Sequence, residues 1–241
     1  MSEIVTESYI GSGIVYVAGR DVGNASGVKI AIEQDTKSQP NYRGGGGNAA
    51  EITRVKSVKL SFTLNDFSNQ NMALALRGKV EVLAAGAVVT PESIIAVLDG
   101  LADTAFMIDT TVEPVVTDTT AATTFVKDTD YVVSAGGIRA LSTGTITAEQ
   151  PLKVTYTKKA GNAMQALTES GQTVPVVIDG VNDATGKPWT LKFFKWTPSP
   201  TAGMDLIGDD FGSFDIEGGV LADASVVATG KSKFFVRSAA S

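Results

Sequence analysis

Residues 57–64 read SVKLSFTL, with Val58, Leu60, Phe62 and Leu64 separated by Ser57, Lys59, Ser61 and Thr63. Successive side chains on a strand point to opposite faces. The pattern therefore predicts a half-buried strand, apolar toward a core and polar toward water. A chain containing such a strand needs a partner layer on one side only. GVKIAIEQD (27–35) repeats the pattern, with Val28, Ile30 and Ile32 set against Lys29, Ala31 and Glu33. GSFDIEGGVLAD (212–223) does so again, with Phe214, Ile216 and Val220 opposite Ser213, Asp215 and Glu217. IVYVAG (14–19), TVPVVIDGV (173–181), PWTLKFFKWTP (188–198) and KSKFFVRS (231–238) supply further strand candidates. PWTLKFFKWTP is apolar at both parities and reads as covered on both sides.

The strand at 57–64 runs into a helix with its own punctuation. Ser68 is an N-cap residue, Phe67 and Met72 are placed for a hydrophobic staple, and Met72, Ala75 and Leu76 form an apolar stripe. Gly78 suits the left-handed position just past the end. So short a helix is marginal alone and must lie against the sheet.

Between these long-strand regions the texture changes. TPESIIAVLDG (90–100) has a Thr cap, a Pro at the first turn and a Gly stop, yet its Ile-Ile-Ala-Val run suits a buried strand equally, so both assignments stay open. Residues 112–159 read as short strands joined by Thr/Asp/Gly turns. The expected organisation is a discontinuous core domain, 1–79 and 161–241, carrying an inserted β-rich subdomain at 80–160. Residues 1–12 read as a polar arm.

Composition narrows the chemistry. The 241 residues include no Cys and no His, which excludes disulfides, thiolate ligands and cysteine nucleophiles, and also the commonest general base and metal ligand. The formal charge is −6, from 20 basic and 26 acidic residues, with no basic run to track a phosphate backbone. No apolar run is long enough to span a bilayer. MSEIVTESYIGSG lacks the basic start and apolar centre of a secretion signal. These features give the expectation of a soluble acidic protein made in the cytoplasm.

The run Gly44–Gly47 is not a P-loop, because no Gly-Lys-Ser/Thr follows and the next element is a strand. The GSG at 11–13 lacks the third glycine of a dinucleotide fingerprint. No cofactor site is therefore expected. The glycines read either as a flexible hairpin tip or as a loop that docks on another subunit, with Tyr42 and Arg43 as contacts. Acidic clusters at 127–131, 179–183 and 208–218 do not have calcium-loop spacing and read as turns and wet strand faces. Asp215 and Glu217 share a strand face and keep a carboxylate-based hydrolase in view, although nothing fixes a partner carboxylate. The serines have no histidine to activate them. No catalytic residue or metal site is assigned, and the chain is expected not to be an enzyme. Trp189, Phe193, Phe194 and Trp196 read as core in preference to a ligand platform.

Residues 28–78, VKIAIEQDTKSQPNYRGGGGNAAEITRVKSVKLSFTLNDFSNQNMALALRG, resemble the N-terminal half of the major tail tube proteins of long, non-contractile-tailed bacteriophages. The resemblance lies in E-x-D-x-K-x-Q-x-N-Y ahead of a Gly-rich loop and in the alternating strand leading to N-x-x-x-A-L-x-G. GSFDIEGGVLAD and SKFFVR resemble the closing strands, and KDTDYVVSAGGIRALS (127–142) resembles a hairpin common in tail proteins. The resemblance implies a mainly β fold, an antiparallel β-sandwich or half-barrel with one flanking α-helix and an inserted small β subdomain. It implies stacked hexameric rings around a channel that passes double-stranded DNA. The implied partners are copies of the chain itself, a tape-measure protein, and tail terminator and distal tail or baseplate proteins, with no membrane. The implied place is the virion, assembled in the host cytoplasm.

On this reading Tyr42, Arg43, Gly44, Gly45, Gly46, Gly47 and Asn48 form a subunit-interface loop that orders against a neighbour. Ser57, Lys59, Ser61, Thr63, Ser213, Asp215 and Glu217 are the candidates for the channel lining, with Lys59 paired to a carboxylate. An alternative of another class is an Ig-like β binding module that attaches a virion or cell surface to carbohydrate.

Overall fold

The computed structural model of the chain describes residues 8–87 and 91–240. Chain segments 1–7, part of the expected polar arm, and Thr90, the expected helix cap, lie outside the described residues. The fold divides into two units, one of Met1–Val80 with Met164–Ser241 and one of Glu81–Ala163.

The first unit opens with β1 (Gly11–Val17), the two-residue β2 (Arg20–Asp21), and two long strands, β3 (Ala25–Pro40) and β4 (Asn48–Leu64). Helix α1 (Asn69–Ala75) follows, and then β5 (Lys79–Leu83), along which the chain passes from the first unit to the second. The second unit contains β6 (Gly86–Ala87), β7 (Glu92–Ile95), β8 (Ala102–Asp103), β9 (Val115–Asp118), β10 (Tyr131–Ser134), β11 (Gly137–Ala140), β12 (Pro151–Thr155) and β13 (Thr157–Lys158). After β14 (Gly161–Gln165) the first unit is completed by β15 (Val174–Asn182), β16 (Lys187–Pro198), β17 (Phe214–Val220) and β18 (Phe235–Ala239).

The sheet of the first unit is antiparallel, in the order β2-β1-β15-β16-β17-β4-β3, with β18 also on β16. Period-two alternation builds its core: Val58, Leu60, Phe62 and Leu64 of β4 and Phe214, Ile216 and Val220 of β17 are all buried. They meet Val15, Val17, Val176, Ile178, Leu191, Phe193 and Trp196 in one cluster. Trp196, fully buried, donates from Nε1 to the Leu60 carbonyl at 3.3 Å. Gly218 makes that possible, since a Cβ there would collide with the indole. In the aromatic run, Phe193 and Trp196 are core, while Trp189 and Phe194 are half-buried.

A sandwich or half-barrel does not form. Among the described residues no sheet closes or curls strongly, and the long sheet is open, ending in β2 and β3. The reason lies at β16. Its C-terminal residues Trp196–Pro198 pair with β17, whereas Trp189–Phe193 pair with β18 on the same side. The ladder divides there and does not carry one register around a closed cylinder. Alternation along a strand specifies a buried face and leaves the number of layers open. Among the described residues the architecture is a mainly β one, with one helix and several antiparallel sheets.

Helix α1 is capped as its sequence suggests: Ser68 is the N-cap and its Oγ accepts from Asn71 N at 3.3 Å. Its C-terminal end differs. Arg77, not Gly78, takes the left-handed position (φ 46°), and Gly78 N donates to Ala73 O at 2.8 Å, closing a Schellman turn. The Arg77 guanidinium compensates by donating from Nε and Nη2 to Pro198 O at 3.1 and 2.7 Å. Gly78 is needed for space instead, because Gln165 O would lie 2.6 Å from a Cβ. The buried helix positions are Asn71 and Ala75, with Met72 and Leu76 only half-buried, and Phe67 stacks edge-on against Phe214 at 5.0 Å. Asn71 sits in the core because its amide donates to Val22 O (2.7 Å) and Asp66 O (3.0 Å).

In the second unit β7, β12 and β9 form one sheet, and β10, β11 and β8 another. Residues 92–95 are therefore strand. Val116, Tyr131, Ile138, Leu152, Val154 and Tyr156 belong to a core separate from that of the first unit. Asp130, read as a wet turn residue, is buried instead. Its carboxylate accepts from Val126 N, Thr145 N and Thr145 Oγ1, each at 2.8 Å, and so ties two loops together. These backbone donors hold it below the ordinary carboxylate range despite burial. Tyr131 donates to Pro114 O at 2.9 Å, and burial pushes its phenol up to about 12.

Candidate functional site

The long hairpin β3–β4 contributes two distinct surfaces. Near the core, one face of β3, β4 and β17 is polar. Register places Thr63 beside Asp215 and Ser26, Ser61 between Glu217 and Lys29, Lys59 beside Ala31, and Ser57 beside Glu33. Six of the seven residues expected on a channel lining thus share a continuous sheet face. Ser213 precedes β17 and lies outside the ladder.

The charges on this face are tied to neighbours. Thr63 Oγ1 donates to Asp215 Oδ1 at 2.5 Å, and Lys59 Nζ reaches Glu217 Oε1 at 3.5 Å. Ser57 Oγ donates to Glu33 Oε2 at 3.1 Å, with Lys56 Nζ 3.6 Å from the same oxygen. The Ser57 hydroxyl first, and then Lys56, draw the Glu33 carboxyl below its ordinary value. Exposed pairs of this kind contribute little to stability. Their effect is on the surface, which carries alternating charge and hydroxyl groups without a concentrated field of either sign.

Beyond Glu33 and Ser57 the hairpin leaves the core. A register shift at Glu33/Gln34 marks the departure. From there Gln34–Pro40 of β3 and Asn48–Val55 of β4 are exposed along both faces, including Ile52 and Val55. At about 3.3 Å per residue the arm extends some 25 Å. An isolated two-stranded ribbon is at best marginally stable in water. At the tip Asn41 N donates to Gly47 O (3.0 Å), Asn41 Nδ2 to Gly44 O (3.1 Å) and Arg43 N to Asn41 Oδ1 (2.9 Å). Gly44, Gly45, Gly46 and Gly47 all have positive φ, at 95°, 90°, 70° and 78°. Nothing would touch a Cβ at any of them, so their requirement comes from the backbone alone. Tyr42, 87% exposed, stands at this tip beside Arg43 and Asn48.

Two features were given no role from the sequence. The loop between β16 and β17 presents Leu206, Ile207 and Phe211 to solvent, and a cleft of about 260 Å³ lies between α1 and the ends of β1 and β15. Leu206, Ile207 and Phe211, set among Gly and Asp in LIGDDF, were the available signal for the loop. The cleft joins residues distant in sequence and left none. Among the described residues no group of three acidic side chains is arranged to hold a metal ion.

The fold and these surfaces define a mainly β protein whose β3–β4 hairpin packs its inner part on the core, shows a polar face to solvent there, and carries its outer part exposed along both faces. The chain belongs to the family described as "Protein of unknown function UCP028589", which matches residues 8–238. No curated protein matches it.

Proposed function

We propose that this protein is a structural virion component, the major tail tube subunit of a long, non-contractile-tailed phage. Copies of the chain associate into hexameric rings, and rings stack into a tube through which double-stranded DNA passes during ejection. The observation that carries the reading is the β3–β4 arm, whose outer length is exposed along both faces among the described residues and whose tip is built to a defined turn. Such an arm is stable when a neighbouring copy covers it, and the ordering cost of that contact opposes premature assembly.

Two further features support the reading. β3 ends the sheet with one edge unpaired over a long strand, a liability in a lone molecule that pairing between copies removes. The polar face of β3, β4 and β17 suits a channel wall: Glu33, Asp215 and Glu217 stand against Lys29 and Lys59, with hydroxyls between. DNA phosphates find no concentrated basic patch there to displace their counterions. The tape-measure protein would occupy this channel before DNA, and terminator and distal tail proteins would cap its ends.

Electron microscopy of the purified protein at rising concentration tests the proposal. Rings or hollow filaments are the expected result. A particle that remains a single chain at every concentration refutes it.

A further inference from the structure

The loop joining β16 to β17 holds three large apolar side chains in water: Leu206 is 69% exposed, Ile207 99% and Phe211 103%. Asp205, Asp209 and Asp210 lie among them, and the loop wraps a pocket against Phe67 alone. Removing such apolar side chains from water is favourable, so burial on another surface is favoured. The loop's chemistry, apolar with an acidic fringe, specifies what that surface must offer: a nonpolar recess with cationic donors at its rim.

The cleft beside α1 has that composition. Val17, Ala73, Leu74, Val174 and Pro198 supply apolar wall, and the charged lining is Arg20, Arg77 and Glu169, with the Asp21 and Asp66 carboxylates near Arg20 from outside the lining. Among the described residues Arg20 Nη1 donates to the Asp21 carbonyl, at 3.2 Å, and no carboxylate is in hydrogen-bond contact with the guanidinium. Arg77 is fixed by its bonds to Pro198 O, which leaves its outer nitrogen for another acceptor. The loop and the cleft of one chain are both accounted for separately: the loop's apolar residues are exposed, so they do not fill the cleft of their own chain.

We infer that residues 205–211 of one copy seat in the cleft lined by Arg20, Leu74 and Arg77 of the next, with Phe211 and Ile207 entering the recess and Asp209 and Asp210 meeting the arginines. The contact is head-to-tail, so each copy gives a loop and receives one, and repetition gives a ring when the rotation per contact closes. The inference rests on the proposed self-assembly and names a contact for it that is distinct from the arm.

A chain without cysteine allows a direct test. Ile207→Cys and Gln70→Cys variants, the latter on the exposed helix surface at the cleft, are purified separately, mixed under assembly conditions and oxidised. A covalent heterodimer forming in the mixture faster than either variant crosslinks with itself is expected. In parallel, Arg20→Asp is expected to raise the concentration for half-assembly by about tenfold, as loss of a central charged contact does, and Asp209→Lys with Asp210→Lys in the same chain to restore it. Restoration excludes misfolding as the cause. If the wild-type chain forms rings while neither the heterodimer nor the charge-swap rescue appears, this contact is wrong and self-assembly stands. If the wild-type chain never associates, both fall.

Discussion

Replacing Gly44–Gly47 by four alanines isolates the arm from everything else in the molecule. All four glycines have φ between 70° and 95° and no atom within reach of an added Cβ, so the substitution introduces backbone strain without a clash. An L-residue in the left-handed region costs roughly 1–2 kcal/mol. Against this, each alanine restricts the unfolded chain and returns about 0.4–1 kcal/mol. Across four positions the balance is about 3 kcal/mol against the tip turn. Since 1.4 kcal/mol is about a factor of ten, the closed tip becomes roughly a hundredfold rarer.

The arm contributes nothing to either buried core, so thermal unfolding followed by circular dichroism is expected to match wild type closely. Assembly measured by light scattering, with microscopy to identify the product, is expected to require about a hundredfold more protein. Gly45→Asn alone, which the left-handed region tolerates better, is expected to fall between. Assembly of the tetra-alanine variant within about threefold of the wild-type concentration would refute the argument that the formed tip is what a neighbour receives.

Other outcomes follow from the cores. Gly218→Ala drives a methyl into the Trp196 indole and is expected to destabilise by about 1–3 kcal/mol in denaturant titration, despite alanine's ordinary preference over glycine in a strand. Asp130 has a folded pKa below its unfolded one, so its contribution is present above the ordinary carboxylate value and is lost as pH falls through the folded value. Asp130→Asn is therefore expected to lower stability at neutral pH and to flatten the acid limb below about pH 4. Tyr131 has the opposite sign: its raised pKa makes stability decline as pH climbs from the ordinary tyrosine value of 10.0 toward about 12. Tyr131→Phe is expected to lose about 1 kcal/mol at neutral pH, with the Pro114 bond, and to weaken that alkaline decline in a pH-resolved melt.

Much of the local structure was legible along the chain because strands and caps are governed by nearest neighbours. Val58 to Leu64 and Phe214 to Val220 alternate in sequence and are buried and exposed in turn, and Ser68 caps the helix it precedes. Nearest neighbours do not decide the structure where the deciding atoms come from elsewhere. Val28 and Ile32 alternate as well as Leu60 does, but β3 ends the sheet and both are left exposed. Arg77 displaces Gly78 from the left-handed position because Pro198, far along the chain, supplies an acceptor. Asp130 is buried because Thr145 and Val126 donate to it. The candidate surfaces divide in the same way: the wet face of β4 could be read from its alternation, whereas the cleft between α1, β1 and β15 could not.

From its sequence alone the chain determines which stretches are extended, which face of each is apolar, and that the glycine tip must adopt backbone angles other residues avoid. Periodicity and φ preference are properties of a few adjacent residues, and no partner is needed to express them. Whether the sheet closes, which side chains its edges leave uncovered, and how far the arm stands clear were decided only in three dimensions. The split pairing of β16 between β17 and β18 decides the first, and the place of β3 at the end of the sheet with its register shift at Glu33/Gln34 decides the other two, choices that depend on contacts between strands the chain brings together from its two ends.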